Sequence, residues 1–293
     1  NIFTHRLYAI LIELKLLGTN HSTKCFTSRF YLFYILIKEK IFNYMISQNK
    51  IKQIQSLKTK KGRTKEGLFL VEGVRCISSY LEHSDDLIEL FIARSFTSIN
   101  KNIINLCKKK NIPHTIISDK VMKSISDTKT PSGILGISKF TPPPELNLNS
   151  KRWLYLYKIS DPGNLGTILR SAAWFNIKNI ALSKESTDPY SPKTIRSATG
   201  AHLHLNIYQE VDYKIYFDQN YFLLGTDQNS DNTLEDSDYN KKIVLFLGNE
   251  SEGIELSIKK KMNKLISVER LGYGESLNVA IAGSIIMNKL TIK

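Results

Sequence analysis

Hydrophobic and polar positions change period repeatedly along this chain. From Met45 onward, "IKQIQSL" has helical spacing and "LFLVEG" is an apolar run of strand length. "VRCISSYLEH" returns to helical spacing, "LIELFIA" to a strand, "INKNIINLCKKK" to a helix and "HTIIS" to a strand. "PSGILGISKF" closes this block as a final strand. Between the first two elements, "KTKKGRTKEG" is basic and punctuated by glycine, which predicts a loop. Strand and helix by turns predict a mostly parallel sheet covered by helices.

"TPPPELNLNS", residues 141–150, interrupts the pattern, because consecutive prolines neither continue a helix nor pair inside a sheet. Beyond this linker, "RWLYLYKI", "IKNIALS", "YFLLGTD" and "KIVLFLG" are strand candidates. "SDPGNLGTILRSAAWFNI" begins as a turn and continues as a helix that buries Leu165, Ile168, Leu169 and Ala172, with Arg170 a turn or so into it. The predicted organisation is an extension over 1–44, a small α/β domain over 45–140, the linker, and a second α/β domain over 151–293. Residues 1–44 mix basic, aromatic and aliphatic residues without a domain pattern or a signal-peptide cleavage site. Because Met45 looks like a natural beginning, 1–44 are expected to be upstream sequence or a poorly ordered extension, with a targeting segment as the alternative. The apolar run "FYLFYILI" is too short to cross a membrane, and no membrane partner is expected.

Charge changes the picture. The 293 residues carry a formal net charge of +14, with a pI of about 9.5. Such an excess attracts polyanions, so nucleic acid is the first partner to test, although a Lys/Asn/Ile-rich composition bias is another source of it. Cys25, Cys76 and Cys107 lack C-x-x-C spacing, which argues against zinc and against a disulfide framework and suits a reduced, cytoplasmic setting. His202 and His204 alternate as on a strand, but no suitably spaced carboxylate or cysteine stands close, so a surface or interface strand is preferred to a metal site.

Three glycine-containing loops of the second domain follow strands, where ligands of open α/β sheets collect. None is G-x-G-x-x-G or a Walker loop, which excludes an ordinary dinucleotide fold and a P-loop nucleotidase. They carry "DPGNLGTILRSA", "LGNESEG" and, after Gly272 and Gly274, "ESLNVAIA", in that order, with "DPYSPKTIRSATGA" between the first two. Together they resemble the three motifs of the SpoU (TrmH) family of RNA ribose 2′-O-methyltransferases, within the SPOUT superfamily. More loosely, "FLVEGVRCISSYL" and "PSGILGI" resemble the family's accessory RNA-binding domain, which is like a small ribosomal protein.

The resemblance implies a C-terminal SPOUT α/β knot, a deep trefoil, that binds S-adenosylmethionine as methyl donor. Gly248, Val268 and Leu277 match the cofactor-holding positions, with Gly253 and Ile266 shaping the same pocket. Glu269 stands where the family usually has proline, which frees the cofactor loop and puts a carboxylate nearby. Asn164 and Arg170 match the invariant polar positions of the first motif, and Glu250, Ser276 and Asn278 complete the implied catalytic set. A guanidinium stays protonated, so Arg170 is expected to clamp phosphate and stabilise the developing alkoxide, not to act as a base. Asn164 is expected to bridge it to the substrate or orient the loop, Glu250 to pair with an arginine such as Arg170 or cap backbone amides, and Ser276 to finish the site or cap a helix. Lys58, Lys60, Lys61, Arg63 and Lys65 suit RNA phosphates, as does Arg196 in the linking segment, where a dimer contact is the alternative. The family implies a homodimer through the knot region. The layout favours 23S rRNA as substrate, with tRNA second, a base-directed SPOUT enzyme disfavoured, and a non-catalytic assembly factor of the same fold as the rival.

Overall fold

The computed structural model describes residues 46–97, 100–232 and 241–291; the expectations for residues 1–44 lie outside them. In the N-terminal half, the order is α1 (Gln48–Ser56), α2 (Lys60–Glu66), β1 (Leu68–Glu72), α3 (Val74–His83), β2 (Leu87–Ala93), α4 (Arg94–Thr97), α5 (Lys101–Lys109), β3 (His114–Ile117), α6 (Asp119–Ile125) and β4 (Ile134–Lys139). The predicted helices and strands are all present, but the sheet is mixed. Its order is β1-β4-β2-β3, with β4 antiparallel to both β1 and β2 and only β2 and β3 parallel. Periodicity fixes which face a strand buries, not its direction; the segment 126–133 reverses the chain and sends β4 back between two earlier strands.

The basic stretch read as a loop is the helix α2. Thr59 caps it by accepting the Gly62 amide at 3.1 Å, and it stops at Gly67, whose φ of 65° is left-handed. Gly62 sits inside this helix because a Cβ there would lie 2.0 Å from the Ser56 carbonyl oxygen. The glycine marks close passage against the end of α1, not a break.

The chain then runs without regular structure from 141 to 151. The C-terminal half follows as β5 (Arg152–Leu156), α7 (Pro162–Trp174), β6 (Asn179–Leu182), α8 (Pro192–Ala198), a 3₁₀ turn (Ala201–His204), β7 (Asn206–Tyr208), a second 3₁₀ turn (Tyr213–Tyr216), β8 (Phe222–Thr226), β9 (Ile243–Leu247), α9 (Leu256–Lys259), β10 (Lys264–Ile266) and α10 (Val279–Thr291). The six strands lie in the order β10-β8-β9-β5-β6-β7, every pair parallel. β7 and β10 are three residues each, too short to show a period in the sequence. His202 and His204 lie in the first 3₁₀ turn, not on a strand, and the His202 Nε2 faces the Pro189 carbonyl at 2.7 Å.

Both faces of this sheet are covered, as parallel strands require. Successive β5 side chains point to opposite faces: Trp153 and Tyr155 join Tyr208, Tyr216 and Phe246, while Leu154 and Leu156 join Leu165, Ile168, Leu169 and Ala172. The latter four are fully buried on α7, as the helical spacing predicts. No described helix is long and apolar enough to cross a membrane.

Segment 188–202, around α8, also packs on the N-terminal half, and here two RNA-binding expectations are corrected. Arg63 is 3% exposed: its Nη1 donates to the Leu57 carbonyl at 2.9 Å, and its guanidinium pairs with the Asp188 carboxylate. Arg196 is half-buried and pairs with Glu72 at 3.4 Å and Asp127 at 3.1 Å. Two further lysines have partners within the chain: Lys58 donates to the Ser126 carbonyl at 2.6 Å and Lys60 lies 3.5 Å from Glu210. Lys61 and Lys65 remain exposed. An aromatic cluster of Phe69, Phe140, Tyr190 and His202 fills the space beside these pairs.

Replacing Arg63 with alanine leaves Asp188 uncompensated, so a loss of roughly 3–5 kcal/mol is expected in denaturant unfolding. Burial pushes the His202 imidazole down to about 4, against smaller upward effects of the Pro189 carbonyl and Asp188. The unfolded chain therefore binds this proton first as pH falls, and stability should decline between about 6.5 and 4. Thermal melts across that window should be flatter for His202→Phe than for the parent chain.

Candidate functional site

Parallel strands deliver their carboxyl ends to one edge. β5 and β9 are neighbours whose last pair is Leu156 with Leu247, so the chains leaving them emerge side by side. Strand order departs from chain order here, since β5 continues to β6 on one side and meets β9 on the other. Such a switch point opens a crevice for ligands.

The two emerging loops are tied together. Lys158, left-handed with φ 53°, donates its amide to Ser183 Oγ at 2.9 Å and accepts from Asn249 Nδ2 at 2.8 Å. Glu250 then reaches across to the start of α7. Its Oε2 accepts from the Ser160 amide (3.1 Å) and hydroxyl (2.8 Å), and its Oε1 from the Asp161 amide (3.1 Å) and Asn164 Nδ2 (3.0 Å). Partial burial opposes ionisation of this carboxyl, but the donors from Asn164, Asp161 and Ser160 outweigh it and hold the group below its ordinary range.

Asn164 passes the connection on. Its Oδ1 accepts from Asn278 Nδ2 at 2.9 Å, while its own amide is capped by Asp161 Oδ1 at 2.9 Å. Asn278 starts α10, accepting the Ala280 amide at 2.9 Å. Glu250, Asn164 and Asn278 therefore form one hydrogen-bonded chain through all three glycine-containing loops. Asn164 is the link in that chain that touches both other loops. Two expectations are corrected: among the described residues Glu250 pairs with no arginine and accepts backbone amides instead, the alternative expected of it, and the helix cap is Asn278, not the exposed Ser276.

Arg170 stands outside this chain. It lies on the exposed face of α7 and makes no hydrogen bond or ion pair with any described residue. Trp174, one turn further, is 84% exposed.

Of the residues expected to hold a cofactor, Gly248 and Gly253 close the loop after β9. Asn249 and Gly253 exchange backbone hydrogen bonds at 3.1 and 3.0 Å, and a Cβ on Gly248 would lie 2.4 Å from the Gly253 carbonyl carbon. Ile266 is fully buried under the sheet edge, with its carbonyl taken by the Asp227 amide at 2.9 Å. Val268 packs partly on the core and Leu277 is exposed; neither makes a hydrogen bond to another described residue. Between them Glu269, Leu271 and Tyr273 face solvent, and Arg270 Nη1 donates to the Gly274 carbonyl at 2.7 Å.

Sequence reasoning missed Asp161, whose Oδ2 also holds Lys193 Nζ at 2.6 Å. Its signal was available: Asp before Pro at a helix start is an N-cap followed by N1 proline. Lys193 and Asn249 carry no comparable signal.

Residues 151–288 match the sequence model of the "SpoU rRNA Methylase family", and residues 48–136 match that of the "MRM3-like substrate binding domain". Residues 151–288 thus carry a SpoU methylase domain. It is 27% identical over 245 residues to the 23S rRNA (guanosine(2553)-2′-O)-methyltransferase RlmP of Bacillus subtilis, covering 82% of this chain and 95% of that protein. It is 33% identical over 189 residues to the mitochondrial rRNA methyltransferase 3 of Xenopus laevis, covering 60% of this chain and 42% of that protein. The crystal structure of the SpoU methyltransferase AviRb from Streptomyces viridochromogenes in complex with the cofactor AdoMet shares the fold, with a TM-score of 0.72 at 23% identity over 84% of this chain and 97% of the other.

Glu250→Ala should leave the Ser160 and Asp161 amides without acceptors, costing about 1–3 kcal/mol. Hydrogen exchange should show those two amides losing protection at neutral pH. In the parent chain the protection is present above the ordinary carboxylate range and should be lost only as pH falls through the lowered value of Glu250.

Proposed function

We propose that this chain transfers a methyl group from S-adenosylmethionine to a ribose 2′-hydroxyl in 23S ribosomal RNA. The observation that carries the reading is the joining of three loops through Glu250, Asn164 and Asn278, with Arg170 unpaired on the helix that begins there. The match of residues 151–288 to the SpoU methylase model supports the reaction class, and the name of RlmP, matched over 95% of its length, supports 23S rRNA.

The residues present fit the cofactor. The main-chain groups of Val268 and Leu277 make no hydrogen bond among the described residues, and Gly248 and Gly253 keep the loop after β9 free of side chains at its base. These four would hold it, with Ile266 supporting them from below. When bound, S-adenosylmethionine supplies an electrophilic methyl on a sulfonium sulfur.

The chain's own task is positioning and charge. A ribose hydroxyl is weakly acidic, and the oxyanion that develops as it attacks needs fixed donors. The Arg170 guanidinium has five N–H donors in a planar fork, which suits that oxygen together with the neighbouring phosphate. Having no acceptor, it takes no proton, so the hydroxyl proton leaves to water or phosphate. Glu250, Asn164 and Asn278 hold the loops at the base of Arg170's helix, and the exposed Ser276 can donate to the ribose.

The reading extends to the domains, with 45–140 holding RNA, 141–150 linking and 151–293 carrying the reaction. Lys61 and Lys65 are its basic contacts there. It includes a trefoil knot, supported by the insertion of β9 between β8 and β5 and by the return of the chain from edge strand β10 to Asn164. It includes a homodimer, supported by exposed Trp174 on α7 and by Leu277 and Ile281 at the start of α10. A cytoplasmic location is part of it, and the buried free thiols of Cys76 and Cys107 agree with a reduced compartment.

Calorimetry should find one S-adenosylmethionine site per chain, and 2′-O-methyl mapping of 23S rRNA should lose one mark without the gene. Arg170→Ala should lower transfer on the order of 10²-fold or more with cofactor affinity and melting temperature unchanged. Full turnover by that variant would overturn the assignment.

A further inference from the structure

Helix α8 touches both halves of the described chain. On one side it packs against α7, and Lys193 in its first turn holds Asp161, the residue that caps α7. On the other side it meets the N-terminal sheet, where the Ile195 carbonyl lies 3.8 Å from Cys76 Sγ and Arg196 reaches Glu72 and Asp127.

Glu72 is the hub of that second contact. Its side chain is 4% exposed, at the carboxyl end of β1. One oxygen accepts from Ser126 Oγ and, at 3.2 Å, from Thr128 Oγ1; the other accepts from the Asp127 amide and from Arg196 Nη1, each at 3.4 Å. One buried carboxylate thus orders the loop after α6 and receives the cation of α8. Asp127, on that loop, takes the other arm of the same guanidinium at 3.1 Å. A forked cation seated between two carboxylates of another sheet fixes an angle as well as a distance.

We propose that Arg196 is a positioning residue for methyl transfer: by clamping Glu72 and Asp127, it sets the orientation of the N-terminal, RNA-holding half against the helix that carries Arg170. This rests on the reading of the chain as an RNA methyltransferase with its RNA contacts in the N-terminal half. The clamp converts RNA bound at one surface into a ribose presented at another, so its loss is felt in turnover and not in the cofactor site.

The test compares Arg196→Ala and Arg196→Lys in the full chain, with a deproteinised 23S rRNA transcript as probe. Arg196→Ala should lower kcat at least tenfold, while S-adenosylmethionine affinity stays within twofold. Arg196→Lys, which keeps the charge but not the fork, should recover only part of the rate. Unchanged kcat in Arg196→Ala, or a parallel fall in cofactor affinity, would overturn the proposal. X-ray scattering of the free protein forms the second arm and needs no substrate. The alanine variant should show a larger radius of gyration than the parent, and identical profiles would refute the clamp even if the parent protein methylates no transcript.

Discussion

The carboxylate of Glu250 is the constraint on which the site depends. It comes from the loop after β9, and its acceptor positions are filled by the start of the loop and helix after β5. Without an ionised acceptor there, the adjacent amides of Ser160 and Asp161 would lose their partner, and the start of α7 its tie to the loop after β9. Because Asn164 donates its Nδ2 to Glu250 and accepts from Asn278 with its Oδ1, the third loop inherits the same orientation. Arg170 makes no hydrogen bond or ion pair of its own among the described residues; the helix that carries it sets its direction.

That division of labour accounts for what the composition leaves unexplained. The chain is strongly basic, yet several of its cations are committed internally. Arg63, Arg196 and Lys193 each hold a carboxylate, and Lys58 holds a carbonyl. Net charge describes attraction to a polyanion at a distance. It does not say which cations meet one, and here those on the exposed faces of α2 and α7 remain available.

Much of this was legible in the sequence because the relevant signals are local. Helical spacing in 160–177 names the buried side of α7, and the three ordered loops name the residues that converge. What was not legible is long-range or depends on a partner. The direction of β4 is set by a reversal that no period records, and Gly62 reads as a loop until Ser56 is placed beside it. The pairing of Arg63 with Asp188, and of Arg196 with Glu72, crosses more than a hundred residues, and an arginine that serves a buried pair looks in sequence like one that serves RNA. Asn278 as cap in place of Ser276 depends on which residue ends the loop, a boundary that sequence leaves uncertain by a few positions.

The bond between Asn164 and Asn278 spans 114 residues, and the one between Asn164 and Glu250 spans 86. Closing such long loops carries an entropic cost that local contacts do not, and chains dominated by distant contacts fold slowly. β5 and β9, whose paired Leu156 and Leu247 stand 91 positions apart, close a loop of the same order, so the sheet edge and the crevice share that cost. The crevice is complete only once Asn278 has come back to the first loop, so the pocket depends on the last helix of the described chain.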